Sequence, residues 1–165
     1  MWASNRTRAR AKGFSLIELV IVVVIIAIIG AIAIPRLSRG SAGAADSALV
    51  GNLRVLRSAT DLYATEHGGT YPSITDLPNA LTEYSNDVGT FSATKSTSYP
   101  YGPYLRVIPN LPVGSNKSNN VFTATAPGAI AAPNAGWYYD ATTGTIKANC
   151  ADTEKDGKNV AWNTY

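Results

Sequence analysis

An unbroken run of 16 apolar or glycine residues, 19–34, constrains this chain more than any other feature. Extended back to Phe14 and interrupted only by Ser15 and Glu18, the segment has 21 residues, which is about the length of a membrane-spanning helix. Its β-branched valines and isoleucines are poor helix formers in water, but in lipid the backbone must satisfy its own hydrogen bonds and a single segment can do so only as a helix. The sequence therefore predicts a transmembrane helix over residues 14–34.

Charge is concentrated at the beginning of the chain. The formal net charge is +3, but four of the 14 basic residues are Arg6, Arg8, Arg10 and Lys12, which leaves ten basic against 11 acidic residues elsewhere. A nearly neutral body lacks the basic stripe of a nucleic-acid-binding protein, so no nucleic-acid partner is expected. Positive residues stay on the cytoplasmic side of a membrane, which predicts a cytoplasmic N-terminus and an external remainder.

A carboxylate inside the apolar segment needs an explanation. Ionised Glu18 costs at least about 2–3 kcal/mol in the bilayer, so it should lie near an interface, be neutralised or be paired. Near the start of the helix it can lie at headgroup depth in a single copy. Alternatively, it meets a cation supplied by another copy of the chain.

A secretory signal peptide is a competing interpretation of this segment. Ala31, Ile32 and Ala33 form an A-x-A pattern that fits signal peptidase, and the product would be a secreted domain cut after Ala33. The apolar region is longer than the usual signal core of about 7–15 residues, and Pro35 follows the cut closely. Retention of the segment is therefore favoured.

The sequence from Gly13 to Glu18, with a basic leader before it and the apolar run and Pro35 after it, resembles the prepilin signature of type IV pilins and type II secretion pseudopilins. The resemblance implies that a prepilin peptidase removes residues 1–13 by cleaving after Gly13 and that the new amino group of Phe14 is methylated. It also implies that Glu18 pairs with the N-terminal amine of a neighbouring subunit. The charge partner of Glu18 would then belong to the next protomer.

An amphipathic pattern follows Pro35. Apolar residues and one threonine recur at spacings of three and four, which predicts one buried helical face, and Gly68 and Gly69 predict the stop. We therefore expect one helix over 14–67, spanning the membrane at 14–34 and amphipathic at 35–67. Pro35 predicts a kink or a place that can unwind, and the resemblance implies such melting in filaments. The stripe comprises Leu49, Leu53, Leu56, Thr60 and Tyr63.

Residues 68–165 are rich in Gly, Pro, Ser, Thr, Asn and Tyr, which predicts a small head of loops and short strands. Alternating patterns indicate strands at 121–126 and across 136–149, with a hairpin loop at 140–144, and a short helical turn is expected near 76–81. The predicted fold class is α+β, with a long N-terminal helix packed against a small antiparallel sheet, as in pilins.

The head also carries a looser resemblance to major pseudopilins of type II secretion. It rests on Tyr71-Pro72-Ser73, on Gly102-Pro103-Tyr104-Leu105 and on the tail at 152–162, although residues 110–114 depart from the Asp-Pro-Trp-Gly-like loop of that group. Many type IV pilins close this region with a disulfide, which the single Cys150 forbids. A pseudopilin is therefore favoured over a pilin.

Candidate chemical groups are few. Asp152, Glu154 and Asp156 alternate before Gly157 like the start of a calcium loop, and major pseudopilins bind calcium in this region. The required oxygen set is incomplete, so a solvated turn is favoured and calcium stays an open alternative. One cysteine and one histidine, His67 at the predicted helix end, do not make a catalytic set, and no enzymatic activity is expected.

The expected function is that of a structural subunit of a type II secretion pseudopilus. Its expected partners are further copies, minor pilin-like subunits, the prepilin peptidase, the inner-membrane assembly platform and the membrane. We expect storage in the inner (cytoplasmic) membrane, then incorporation into a periplasmic or extracellular filament. Two alternatives stay open: a surface pilin for adhesion, motility or DNA uptake, and a membrane-anchored binding module that never polymerises.

Overall fold

The computed structural model describes residues 13–129 and 131–165, with only the backbone for residues 34–39. Residue contacts divide the chain into two units, 1–39 and 40–165. The predicted leader, apart from Gly13, lies outside the described residues. Helix α1, Leu16–Glu66, begins in the first unit and ends in the second.

The first unit contains the apolar part of α1. Its Leu16–Ala33 segment has a mean hydropathy of 3.2, and among the described residues it is the helix long and apolar enough to cross a membrane. Its position near the N-terminus is consistent with membrane anchoring. The backbone stays helical through Pro35, and local unwinding there during assembly stays a prediction.

In the second unit, the predicted stripe of α1 is the face that packs. Leu49, Leu53 and Leu56 are fully or almost fully buried. The helix ends as the glycines predict, because Gly68 and Gly69 have φ of 66° and 84°, values that residues with a Cβ rarely adopt. The Gly69 amide donates to the Ala64 carbonyl at 2.7 Å, which satisfies one of the free carbonyls of the last turn.

The head adds one short helix and two small sheets to α1. Helix α2 is Leu77–Thr82, and a two-stranded antiparallel sheet pairs β1, Tyr84–Ser85, with β2, Phe91–Ser92. The second sheet has the order β3-β4-β5, formed by Phe122–Thr123, Trp137–Asp140 and Thr145–Ala148. A 3₁₀ turn follows at Trp162–Thr164.

The predicted hairpin is present, with β4 and β5 antiparallel in the register Tyr139 opposite Ile146. The sheet is mixed, however, because β3 pairs with β4 in parallel. The strand expected over 121–126 is limited to two residues. Strand β3 can pair with β4 in parallel because a long connection, rather than a hairpin turn, joins the two strands.

A single core joins α1 to the second sheet. Alternation along the hairpin turns Trp137, Tyr139 and Ile146 inward, and each is at most 1% exposed. They form one cluster with Leu53 and Leu56 of the predicted α1 stripe. The α+β fold class is therefore confirmed.

Hydrogen bonds from two polar side chains stabilise this core. The Arg57 guanidinium donates to the Ile146 carbonyl at 2.8 and 3.1 Å and to the Tyr165 main-chain oxygen at 2.7 Å. Asn149 is completely buried, and its amide nitrogen donates to the carbonyls of Ala132 and Ala135, both at 2.8 Å. Charged and buried hydrogen bonds of this kind are costly to break.

Candidate processing and assembly site

The predicted cleavage point lies just outside the helix. Gly13, Phe14 and Ser15 are not helical, and α1 begins at Leu16. A Cβ built on Gly13 would meet no atom within 4 Å, and Phe14 is 84% exposed. Within the described part of the chain, the peptide bond between them is therefore sterically open to a peptidase.

Glu18 forms a local contact that the charge argument did not anticipate. Its Oε2 accepts a hydrogen bond from the Ser15 amide at 2.9 Å, while the Ser15 carbonyl accepts from the Leu19 amide at 3.2 Å. A glutamate at the third helical position that binds the amide of the N-cap residue is half of a capping box. The Ser-x-x-Glu pattern is thus the sequence signal for this role.

The cap satisfies a hydrogen bond but not a charge. The Ser15 amide is a neutral donor, so the net charge of an ionised Glu18 stays uncompensated within the described residues of this unit. A nearby negative charge does stabilise the N-terminus of a helix, by about 0.3–1 kcal/mol at exposed sites. A counter-charge for an ionised Glu18 would have to come from outside these residues.

The apolar side chains before and after Glu18 are not buried by any other described residue of this unit. They retain between 42% and 81% of their surface, and none of the spanning segment is buried. Burial stabilises apolar surface by about 25 cal/mol per Å², so this segment requires lipid or other apolar helices around it. The exposed residues are Leu16, Ile17, Leu19, Val20, Ile21, Val22, Val23, Val24, Ile25, Ile26, Ile28, Ile29 and Ile32.

The three predicted calcium ligands do not converge. Asp152 accepts from Asn163 Nδ2 at 2.7 Å, and Glu154 accepts from the main-chain amides of residues 115 and 151 at 2.5 and 2.8 Å. Asp156 accepts from the Tyr165 hydroxyl at 2.6 Å, and this bond helps to hold its pKa below the ordinary value.

No group of three or more His, Cys, Asp or Glu side chains is placed to hold a metal ion in residues 13–129 and 131–165. The three carboxylates accept hydrogen bonds from protein donors, and these bonds stabilise the C-terminal loop. Calcium binding at these residues stays a prediction.

The two remaining candidate groups of the sequence have structural surroundings. Cys150 is fully buried, and burial raises the pKa of its thiol to about 12, so it is not a thiolate at neutral pH. The His67 ring stacks on Tyr63 with centroids 3.9 Å apart, and its nitrogens lie 2.8 and 3.0 Å from the carbonyls of Tyr63 and Asn86. His67 thereby joins the end of α1 to the loop after β1.

Comparisons with known proteins concern the N-terminal part of the chain. Residues 8–34 match the family described as the prokaryotic N-terminal methylation motif. No curated protein and no solved structure gave a significant match. The matched residues include Gly13, Phe14 and Glu18, so the match supports the resemblance to type IV pilin-like proteins. Residues 8–34 therefore carry the prokaryotic N-terminal methylation motif, and the apolar helix that follows the methylation point is consistent with that motif.

Proposed function

We propose that this protein is a structural, non-catalytic subunit of the pseudopilus of a type II secretion system. The observation that carries the filament role is the capped and wholly unpartnered apolar helix, which follows directly on an accessible Gly13–Phe14 bond within a prepilin-type motif. In the membrane, lipid covers this helix. In a filament, the same helices of neighbouring copies cover one another.

In this proposal, a prepilin peptidase cleaves after Gly13 and the Phe14 amine is methylated. The new ammonium group compensates Glu18 of a neighbouring copy, because opposite charges in a low-dielectric bundle attract strongly while each alone is penalised. The pairing favours one axial register between helices. Minor pilin-like subunits and an inner-membrane assembly platform complete the proposed set of partners.

The choice of a secretion pseudopilus over a surface pilus rests on the head. A single buried cysteine leaves the head without a disulfide, and the segments around Tyr71 and Gly102 resemble those of major pseudopilins. Loss of the gene should therefore abolish protein export. Normal export combined with lost adhesion, motility or DNA uptake would support a surface pilin instead.

Mass spectrometry of the mature N-terminus tests the processing step. We expect a chain that begins with methylated Phe14, and Gly13→Leu should leave the leader attached while Gly13→Ala is cut. A chain cut after Ala33, or one with the leader intact, would contradict the proposal. A methylated subunit that stays monomeric in a competent host would support a binding module.

Two substitutions separate the cap from the charge at Glu18. Glu18→Gln keeps an oxygen that can accept from the Ser15 amide, whereas Glu18→Ala removes both the acceptor and the charge. We expect both variants to insert and be processed, and both to lower filament yield by roughly tenfold or more, because either leaves the neighbouring amine unpaired. Normal filament yield from Glu18→Gln would refute charge pairing between copies.

A further inference from the structure

We infer that the tip of the β1–β2 hairpin of one copy docks into an apolar groove beside α1 on the next copy. This contact between heads rests on the proposed filament function and adds to it. Its two surfaces both lie in the 40–165 unit and are complementary in shape, polarity and charge.

The first surface is the hairpin tip, residues 86–90, which joins β1 to β2. Val88 is 81% exposed there, and its amide and that of Thr90 are held by the Asn86 side chain at 3.2 and 2.9 Å. Gly89 has φ of 75° and completes the turn. The tip is therefore a firmly shaped knob with an apolar end.

A negative charge flanks this knob. Asp87 is exposed, and the Tyr101 hydroxyl donates to its Oδ1 at 2.7 Å, which fixes the carboxylate beside Val88. The tip itself, residues 86–90, contains no Lys or Arg to offset this charge. A partner surface for the tip should therefore be apolar and carry positive charge at its edge.

The second surface meets these requirements. A groove of about 330 Å³ lies along the exposed side of α1, with Val55, Ala59 and Leu62 on one wall and Leu105 on the other. Val55 and Leu62 keep about half of their surface, 50% and 49%. The groove is large enough for the Val88 side chain and its flanking residues.

Two arginines bring positive charge to one part of the groove edge, while Glu66 accepts a hydrogen bond from the lining residue Tyr104. Arg54 lines the groove and is exposed, and exposed Arg106 follows directly on Leu105 in the chain. No acidic residue lines the groove in the described part of the chain. Asp87 of a docked copy would therefore lie beside arginine, the side chain best suited to bind a carboxylate.

The contact must join two copies rather than fold back on one. Val88 keeps 81% of its surface in this chain, so it does not occupy its own groove. A knob and a groove at different places on one molecule give a heterologous contact, and repetition of such a contact produces an open filament. The contact is too small to hold heads together alone, but the packed N-terminal helices would supply a high effective concentration.

Disulfide cross-linking in assembled filaments tests this contact. Full-length chain with Val88→Cys and Ser58→Cys, the latter in the groove lining, is expressed with its assembly machinery and oxidised. We expect a ladder of covalent multimers in denaturing gels. The matched control replaces Val88→Cys by Ala141→Cys, an exposed position in the β4–β5 turn, and should give no ladder; the buried Cys150 is common to both.

A charge exchange provides the second readout. We expect Asp87→Arg to lower filament yield about fivefold or more, because it places like charges together, and Arg54→Glu in the same chain should restore most of the yield. Filaments that form normally without a ladder, or equal ladders in the control, would overturn the docking inference alone. Failure of the unmodified, processed chain to polymerise would instead overturn the proposed function.

Discussion

Gly136 provides the sharpest test of how the head packs, because a single added methyl group would collide with main chain. A Cβ at this position would lie 2.1 Å from the Asn119 carbonyl oxygen and 3.2 Å from Leu111 Cβ. Contacts below 3.0 Å are essentially never observed for real Cβ atoms, so Asn119 would have to shift by about 1 Å. The carbonyl belongs to the main chain, so a side-chain rotamer change cannot relieve this contact in a tightly packed interior.

The cost of Gly136→Ala can be estimated from what that shift disturbs. The Asn119 carbonyl accepts from the Leu111 amide at 2.9 Å, and Leu111 is fully buried. Loss of one hydrogen bond costs about 1 kcal/mol, and overpacking a core typically adds about 1–3 kcal/mol. We therefore expect a loss of about 2–4 kcal/mol, or roughly 8–16 °C in Tm for a unit of this size.

Thermal unfolding of the full chain in detergent, followed by tryptophan fluorescence to which buried Trp137 contributes, measures this loss. Gly128→Ala is the matched control, since a Cβ there would meet nothing within 4 Å, and its Tm should stay within about 2 °C of the unmodified chain. Equal Tm values for the two variants would refute the proposed packing around Gly136.

Substitutions at three further positions test polar contacts by denaturant or thermal unfolding. Arg57→Met removes the hydrogen bonds to Ile146 and Tyr165 and should cost about 2–4 kcal/mol, with partial recovery in Arg57→Lys; a neutral effect would contradict this role. Asn149→Ala removes the side-chain donor to the buried Ala135 carbonyl and one of two side-chain donors to the Ala132 carbonyl, and should cost about 2–3 kcal/mol. Asn149→Asp should cost at least as much because it replaces the donating amide by an acceptor. The pKa of Asp156 is lowered from its ordinary value of 3.8, so its stabilising contribution is present at neutral pH and is lost as pH falls below about 4. Asp156→Asn should therefore be less stable at pH 7 and should lose less stability in acid than the unmodified chain. An unchanged dependence of stability on pH would contradict this role of Asp156.

Regular periodicity explains which elements could be predicted. The α1 stripe of Leu49, Leu53 and Leu56 follows the helical repeat, and Trp137, Tyr139 and Ile146 follow the strand repeat, so both buried faces are readable from the sequence. Each pattern extends over enough residues to distinguish the two periods. The α+β class follows from these two signals.

The short strands and the hydrogen bonds between distant residues had no comparable periodic pattern in the sequence. Strands β1, β2 and β3 have two residues each, which is too few to establish alternation. The partners of Arg57 lie 89 and 108 residues away along the chain, and spacing alone cannot identify contacts made by folding. The alternating acids Asp152, Glu154 and Asp156 likewise gave no information about the protein donors that engage them.

The residues predicted to act in assembly could be interpreted only in part from the sequence, and Glu18 illustrates why. Its apolar neighbours make the carboxylate conspicuous and raise the question of a charge partner, but they obscure the Ser-x-x-Glu capping pattern in the same six residues. The cap uses one carboxylate oxygen and a neutral amide, so it orders the start of α1 without consuming the negative charge. A single copy in the membrane would therefore hold Glu18 in place, ready for a neighbouring amine. Since the two roles depend on different properties of the side chain, shape for the cap and charge for the pairing, glutamine can retain the first while removing the second.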